Sequence, residues 1–83
     1  MASVSRKIYC NWVENALKAL GRATPPEVYD WIRANEAVPV SEVTGMTSDG
    51  ENLFKKNVRW ARFTLFKAGV VSKREGYGIW TLV

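Results

Sequence analysis

Apolar residues near the start of the chain, Ile8, Tyr9, Trp12, Val13, Ala16, Ala19 and Leu20, recur at intervals of three and four, the spacing that lines one face of an α-helix. The pattern predicts an amphipathic helix over residues 4–20, and Gly21 stands where it should end. Thr24-Pro25-Pro26-Glu27 has the composition of a capping box: a threonine hydroxyl for the Glu27 amide, and prolines where a first turn needs no donor. A short second helix follows, with Val28, Trp31 and Ile32 on its apolar face, and the pattern fades by Asn35 and Glu36. Residues 37–50, with Pro39, Gly45 and Gly50 among serines and threonines, read as a long connection with room for one helical turn after Ser41. Ser48-Asp49-Gly50-Glu51 repeats the capping-box spacing and predicts a third helix over 51–68, its stripe formed by Phe54, Val58, Ala61, Leu65 and Ala68 and closed by Gly69. Val70-Val71-Ser72 and Ile79-Trp80-Thr81-Leu82-Val83 are β-branched or aromatic runs on either side of a glycine-containing loop, the pattern of a β-hairpin.

Three helices followed by a hairpin give an α+β fold in the winged helix-turn-helix order, with the hairpin as the wing and a short third strand at 22–24 beside it. At 83 residues the chain has room for one hydrophobic core, so residues 1–83 are expected to form one domain. No stretch approaches the roughly 18 apolar residues of a membrane span, and the opening residues lack the apolar run of a signal peptide, so a soluble, cytoplasmic chain is expected. Cys10 is the one cysteine and there is no histidine, which excludes an internal disulfide, a zinc finger and a histidine-based acid–base site. No nucleophile is paired with a base and no glycine loop suits a phosphate, so neither an enzyme nor a bound cofactor is expected.

Charge sharpens the picture. Residues 1–50 carry five cations and six anions, whereas residues 51–83 carry seven cations and two anions. At 100° per residue, Lys55, Arg59, Arg62 and Phe66 fall opposite the Phe54 stripe of the third helix, Asn52 joins them near its start, and Lys56, Trp60, Phe63 and Lys67 flank them. A basic helix face is also what a solvated face looks like; its concentration in the last third of the chain favours a polyanionic partner. In helix-turn-helix proteins the second helix of the motif enters the major groove, where asparagine suits adenine, arginine suits guanine and any cation suits phosphate. The candidate DNA contacts are therefore Asn52, Lys55, Lys56, Arg59, Arg62, Phe63 and Lys67 on the helix, with Lys73, Arg74 and Tyr77 at the wing tip. Trp12, Trp31 and Trp80 belong to predicted buried faces, Trp60 is expected to pack against the second helix or the hairpin, and Cys10 reads as an inert helical thiol. Phe63 and Phe66 project from the polar side, which leaves a second reading open: a protein-interaction or homodimerising winged helix that uses them as anchors.

Certain residues also resemble a known family. The run Phe54-Lys55-Lys56-Asn57-Val58-Arg59-Trp60-Ala61-Arg62, continuing to Leu65-Phe66-Lys67-Ala68-Gly69-Val70-Val71, resembles the N-terminal winged-helix domain of Mrr-type restriction endonucleases. Ala23-Thr24-Pro25-Pro26-Glu27-Val28-Tyr29 and Gly78-Ile79-Trp80-Thr81-Leu82 match further pieces of that pattern in order, and the likeness spans about residues 10–82. It implies a module that brings a separate nuclease domain, covalently fused in a longer protein, to double-stranded DNA that is often methylated or otherwise modified. The catalytic Asp…Glu-x-Lys constellation of such a nuclease is not in this sequence, since no glutamate is followed two positions later by lysine.

Overall fold

The computed structural model describes residues 4–72 and 78–83. Ser5 caps the first helix, α1 (Arg6–Leu20), its hydroxyl accepting the Ile8 amide at 3.3 Å. Tyr9, Trp12, Val13, Ala16 and Leu17 are its buried residues, a strict three-four repeat. Leu17 completes this face; Ala19 and Leu20, expected on it, are exposed, as is Ile8, because Ile8 and Ala19 lie at the margins of the arc and Leu20 is the last residue of the helix. Gly21, with φ at +78°, ends the helix in a conformation that strains any residue with a Cβ.

The short strand β1 (Arg22–Ala23) leads to α2 (Pro25–Asn35). The expected cap is there: the Thr24 amide donates to Glu27 Oε1 at 2.9 Å, and the threonine hydroxyl reaches the same oxygen at 3.0 Å. Val28, Tyr29 and Ile32 are buried, while Trp31 is half-buried against the edge of the core. The connection after α2 contains the one turn expected of it, α3 (Val40–Thr44).

The next helix, α4 (Leu53–Lys67), starts two residues later than its sequence suggests. Ser48 and Glu51 do not form the expected box. Instead the Thr47 amide donates to the Glu51 carbonyl (2.8 Å), the Glu51 amide donates to the Thr47 hydroxyl (3.1 Å), and Met46 pairs with Asn52 in an isolated antiparallel bridge. This closed turn consumes the groups the box would have used and hands the cap to Asn52, whose side chain accepts the Lys55 amide at 3.0 Å. Phe54, Val58, Ala61 and Leu65 are buried as expected; Ala68, at the helix end, is exposed.

β2 (Val71–Ser72) and β3 (Trp80–Leu82) pair antiparallel, Val71 opposite Leu82 and Ser72 opposite Thr81. The third strand expected near 22–24 is β1, antiparallel to the other side of β3, so the sheet order is β1-β3-β2. The four helices and this sheet make an α+β arrangement that fits a winged helix, with α2, α3 and α4 as the helix-turn-helix. Buried side chains from α1, α2, α4 and the sheet meet in one cluster, in which the Tyr9 ring lies edge-on to Trp12 (5.0 Å between centroids) and Phe54 packs against both Tyr9 and Tyr29.

Within this apolar interior sits one charged side chain, Glu42 of α3, only 4% exposed. The Tyr9 hydroxyl donates to its Oε1 at 2.6 Å. Burial, with the neighbouring carboxylate adding to it, holds the Tyr9 hydroxyl far above the usual phenol range, so it remains a donor at any ordinary pH. α3 is thereby tied to α1, and Asn52 completes the link to α4 by donating to the Val43 carbonyl at 2.9 Å.

Candidate nucleic-acid interface

Because one arc of α4 is committed to the core through Phe54, Val58, Ala61 and Leu65, its remaining arcs must face solvent or neighbouring elements. The arc directly opposite the buried one carries Lys56, Arg59, Trp60, Phe63 and Lys67, all exposed. Lys55 is exposed on the flank toward α2, where its Nζ lies 5.8 Å from the Tyr29 ring centre. Arg62 and Phe66 depart from the expected outward position. Both are partly buried, and the Arg62 guanidinium lies between the Phe66 ring at 5.9 Å and the Trp80 ring at 5.7 Å, joining α4 to β3. Its buried Nε has no hydrogen-bond partner among the described residues. The reason is geometric: these two positions lie roughly 90° from the centre of the buried stripe, and the sheet covers that flank.

Trp60 also departs from its expected place. It is 42% exposed and stacks on Phe63, itself 39% exposed, with ring centres 5.5 Å apart and planes inclined by 26°. The guanidinium of Arg6, from the first turn of α1, lies 5.1 Å from the Trp60 ring, and the Lys67 ammonium lies 5.2 Å from the Phe63 ring. Two aromatic rings are therefore held between two cations, one of which belongs to another helix. Arg6 sits in the electrically balanced part of the sequence, and no local signal marked it; only the packing of α1 beside α4 brings it to this surface.

Asn52 occupies the start of α4, but its amide is engaged on both sides, accepting from Lys55 and donating to Val43. It fixes where the helix begins. Arg59 donates through Nη2 to Glu51 Oε1 at 2.9 Å, and Lys56 Nζ lies 3.9 Å from Asp49 and 4.0 Å from Glu51. Arg6, Glu51, Lys56, Asn57, Arg59, Trp60 and Phe63 line an open groove of about 470 Å³ along the outer side of α4. Lys73, Arg74 and Tyr77, the expected wing contacts, lie outside the described residues.

Cys10 is half-buried between α1 and α4, its Sγ 3.9 Å from the Ala61 carbonyl oxygen, and burial, reinforced by the nearby Glu14 carboxylate, raises its thiol above the ordinary range. Among the described residues no group of three or more acidic, cysteine or histidine side chains could hold a metal ion. Among the described residues no helix is long and apolar enough to cross a membrane.

An α+β arrangement that fits a winged helix, with cations and exposed aromatics gathered on the outer side of its helix-turn-helix, defines the class of protein to which this chain is referred. More particularly, it belongs to the Mrr N-terminal domain family, whose model matches residues 9–82. That family describes an N-terminal domain, not itself a nuclease domain. No curated protein and no solved structure matches the chain.

Proposed function

We propose that this chain is a double-stranded DNA-binding module of a restriction system, with α4 lying in the major groove. The observation that carries the proposal is the gathering of Lys56, Arg59 and Lys67 of α4, with Arg6 of α1, on one exposed surface beside Trp60 and Phe63, with Lys55 exposed on the adjoining flank toward α2. A 15-residue helix extends about 22 Å, and the major groove, about 12 Å wide, admits a helix lengthwise. The long cations suit phosphates on either side, and Arg59, exposed on the outward arc, suits a guanine edge. Phe63 offers an apolar surface for a pyrimidine methyl group. Residues 73–78, with Lys73, Arg74 and Tyr77, are assigned to the backbone or minor groove on their sequence alone. The finer parts of the proposal, recognition of a methylated or otherwise modified base and fusion to a nuclease domain in a longer protein, follow from the family resemblance.

A fluorescence-anisotropy titration of labelled duplex at several salt concentrations tests it. Affinity should fall with salt with a log–log slope of about −0.9 per phosphate neutralised. The double variant Lys55→Ala/Arg59→Ala should lose affinity while keeping the wild-type circular dichroism. Unchanged affinity in that variant would remove α4 from the interface. Parallel titrations on unmodified, cytosine-modified and adenine-methylated duplexes separate general from modification-dependent binding.

The exposed Trp60–Phe63 pair also supports a second reading, a protein-binding or dimerising face. Since Phe66 is partly buried, Phe63→Glu is the informative substitution: loss of self-association with DNA affinity intact would favour this reading. The cations around the pair, Arg6, Arg59 and Lys67, would repel their copies in a symmetric dimer and favour an acidic partner.

A further inference from the structure

The turn before α4 places two carboxylates against the cations that would meet DNA. Glu51 Oε1 accepts from Arg59 at 2.9 Å, and Glu51 Oε2 and Asp49 Oδ2 stand 4.0 Å and 3.9 Å from Lys56 Nζ. Lys55 and Lys67, by contrast, face aromatic rings. The acidic groups thus neutralise two cations on adjacent turns of the outward arc and leave the others available. We infer that Glu51 is a specificity-determining residue that competes with DNA phosphates for Lys56 and Arg59, so that these two cations are released only where the duplex offers them better contacts than the carboxylate does. This inference rests on the DNA-binding reading.

Three observations support it. First, the turn is held through the backbone of Glu51, not its side chain: the Thr47 amide donates to the Glu51 carbonyl, and the Glu51 amide donates to the Thr47 hydroxyl. The carboxylate is free of any fold-holding bond that the structure records and spends its contacts on Lys56 and Arg59. Second, Asp49 is kept ionised beside them, since the Thr47 hydroxyl bonds to it and holds its carboxyl below the usual range, with Lys56 adding to the effect. Third, Glu51, Lys56 and Arg59 line the same open groove, so a phosphate approaching either cation meets the carboxylate at close range. An arginine held by a carboxylate is also restricted to one direction. It then meets a base edge at a fixed place and does not sweep across the phosphates.

Exposed ion pairs are weak and easily exchanged, so the effect is a bias and not a block. Glu51→Gln keeps the size and hydrogen-bonding capacity of the side chain while removing its charge. On a mixed-sequence duplex at low salt the variant should bind roughly two- to five-fold tighter than wild type for each cation released. Its log–log salt slope should steepen by about 0.9 for each additional phosphate contacted. The control is Glu14→Gln, which changes net charge equally but removes a carboxylate that pairs with Lys18 on α1, at 3.2 Å.

Tighter binding and a steeper slope in Glu51→Gln, with Glu14→Gln close to wild type, is the expected result. Equal behaviour of the two variants would overturn the inference and reduce Glu51 to a contribution to net charge. The DNA-binding reading would survive that outcome if wild-type binding still depended on salt and on Arg59. Absence of salt-dependent binding in wild type and Glu51→Gln alike would overturn both.

Discussion

Replacing Tyr9 with phenylalanine removes a single oxygen from the interior and leaves the ring packed edge-on to Trp12 and tilted against Phe54. What it takes away is the 2.6 Å bond to Glu42, a carboxylate 4% exposed on α3. A hydrogen bond to a charged group contributes about 1.5–3 kcal/mol, and an acceptor left buried without its donor bears its desolvation cost as well. With packing conserved, Tyr9→Phe should therefore destabilise the fold by about 2 kcal/mol. For a domain of this size that corresponds to a fall in Tm of roughly 8–16 °C. Urea unfolding followed by tryptophan fluorescence and by far-ultraviolet circular dichroism measures the free energy, and coincidence of the two transitions licenses the two-state treatment. Adding Glu42→Gln to the Tyr9→Phe background should recover part of the loss, because the neutral amide is cheaper to bury unpartnered. A Tyr9→Phe change below about 0.5 kcal/mol, or a double variant less stable than the sum of the singles, would refute the reasoning that the hydroxyl sustains this buried charge.

Three further outcomes are expected. A Cβ added at Gly45 would come within 2.6 Å of the Ser41 carbonyl oxygen and 2.9 Å of a Leu53 methyl carbon, so Gly45→Ala should cost about 1–3 kcal/mol by overpacking, read as a lower urea midpoint. Asn52→Ala should destabilise by about 1 kcal/mol through loss of the cap on Lys55, and should lower DNA affinity only as far as it frays the first turn of α4, which amide exchange at Lys55 reports. Glu27 is held below the usual carboxylate range by the Thr24 amide and then by its hydroxyl; a depressed folded pKa contributes stability above the unfolded value of 4.5, and that stability is lost as pH falls through the folded value. Glu27→Gln should therefore lower the Tm at neutral pH and converge with wild type as the pH falls through the depressed folded value, as thermal melts from neutral into acid pH would show.

Local chemistry told most about the elements and least about what covers them. The boundaries at Gly21 and at Thr24–Glu27 were readable because the responsible bonds run between residues three or four positions apart. The same spacing misled at Ser48–Glu51, where a bridge between Met46 and Asn52 and the Thr47–Glu51 bonds close a turn that a capping signature cannot reveal. Periodicity located the basic helix, yet it treated every non-stripe position as outward; only the sheet against one flank decides that Arg62 rests on Trp80 while Arg59 stays outside. Arg6 and Glu42 act across 54 and 33 positions of sequence respectively, toward Trp60 and Tyr9, and nothing in their immediate neighbours distinguishes them from ordinary surface charges.

The central place of β3 has a consequence for how the molecule assembles. Its two neighbours, β1 and β2, pair only with it, and the Thr81 hydroxyl donates to the Gly21 carbonyl across 60 positions. β2 meets β3 within about ten positions of sequence, whereas β1 can find its partner only when β3 returns to it from the far end of the domain. The individual helices and the β2–β3 pairing can form early on local contacts, while the addition of β1 to the sheet must come late, so the slowest step of folding should be closure of this long loop.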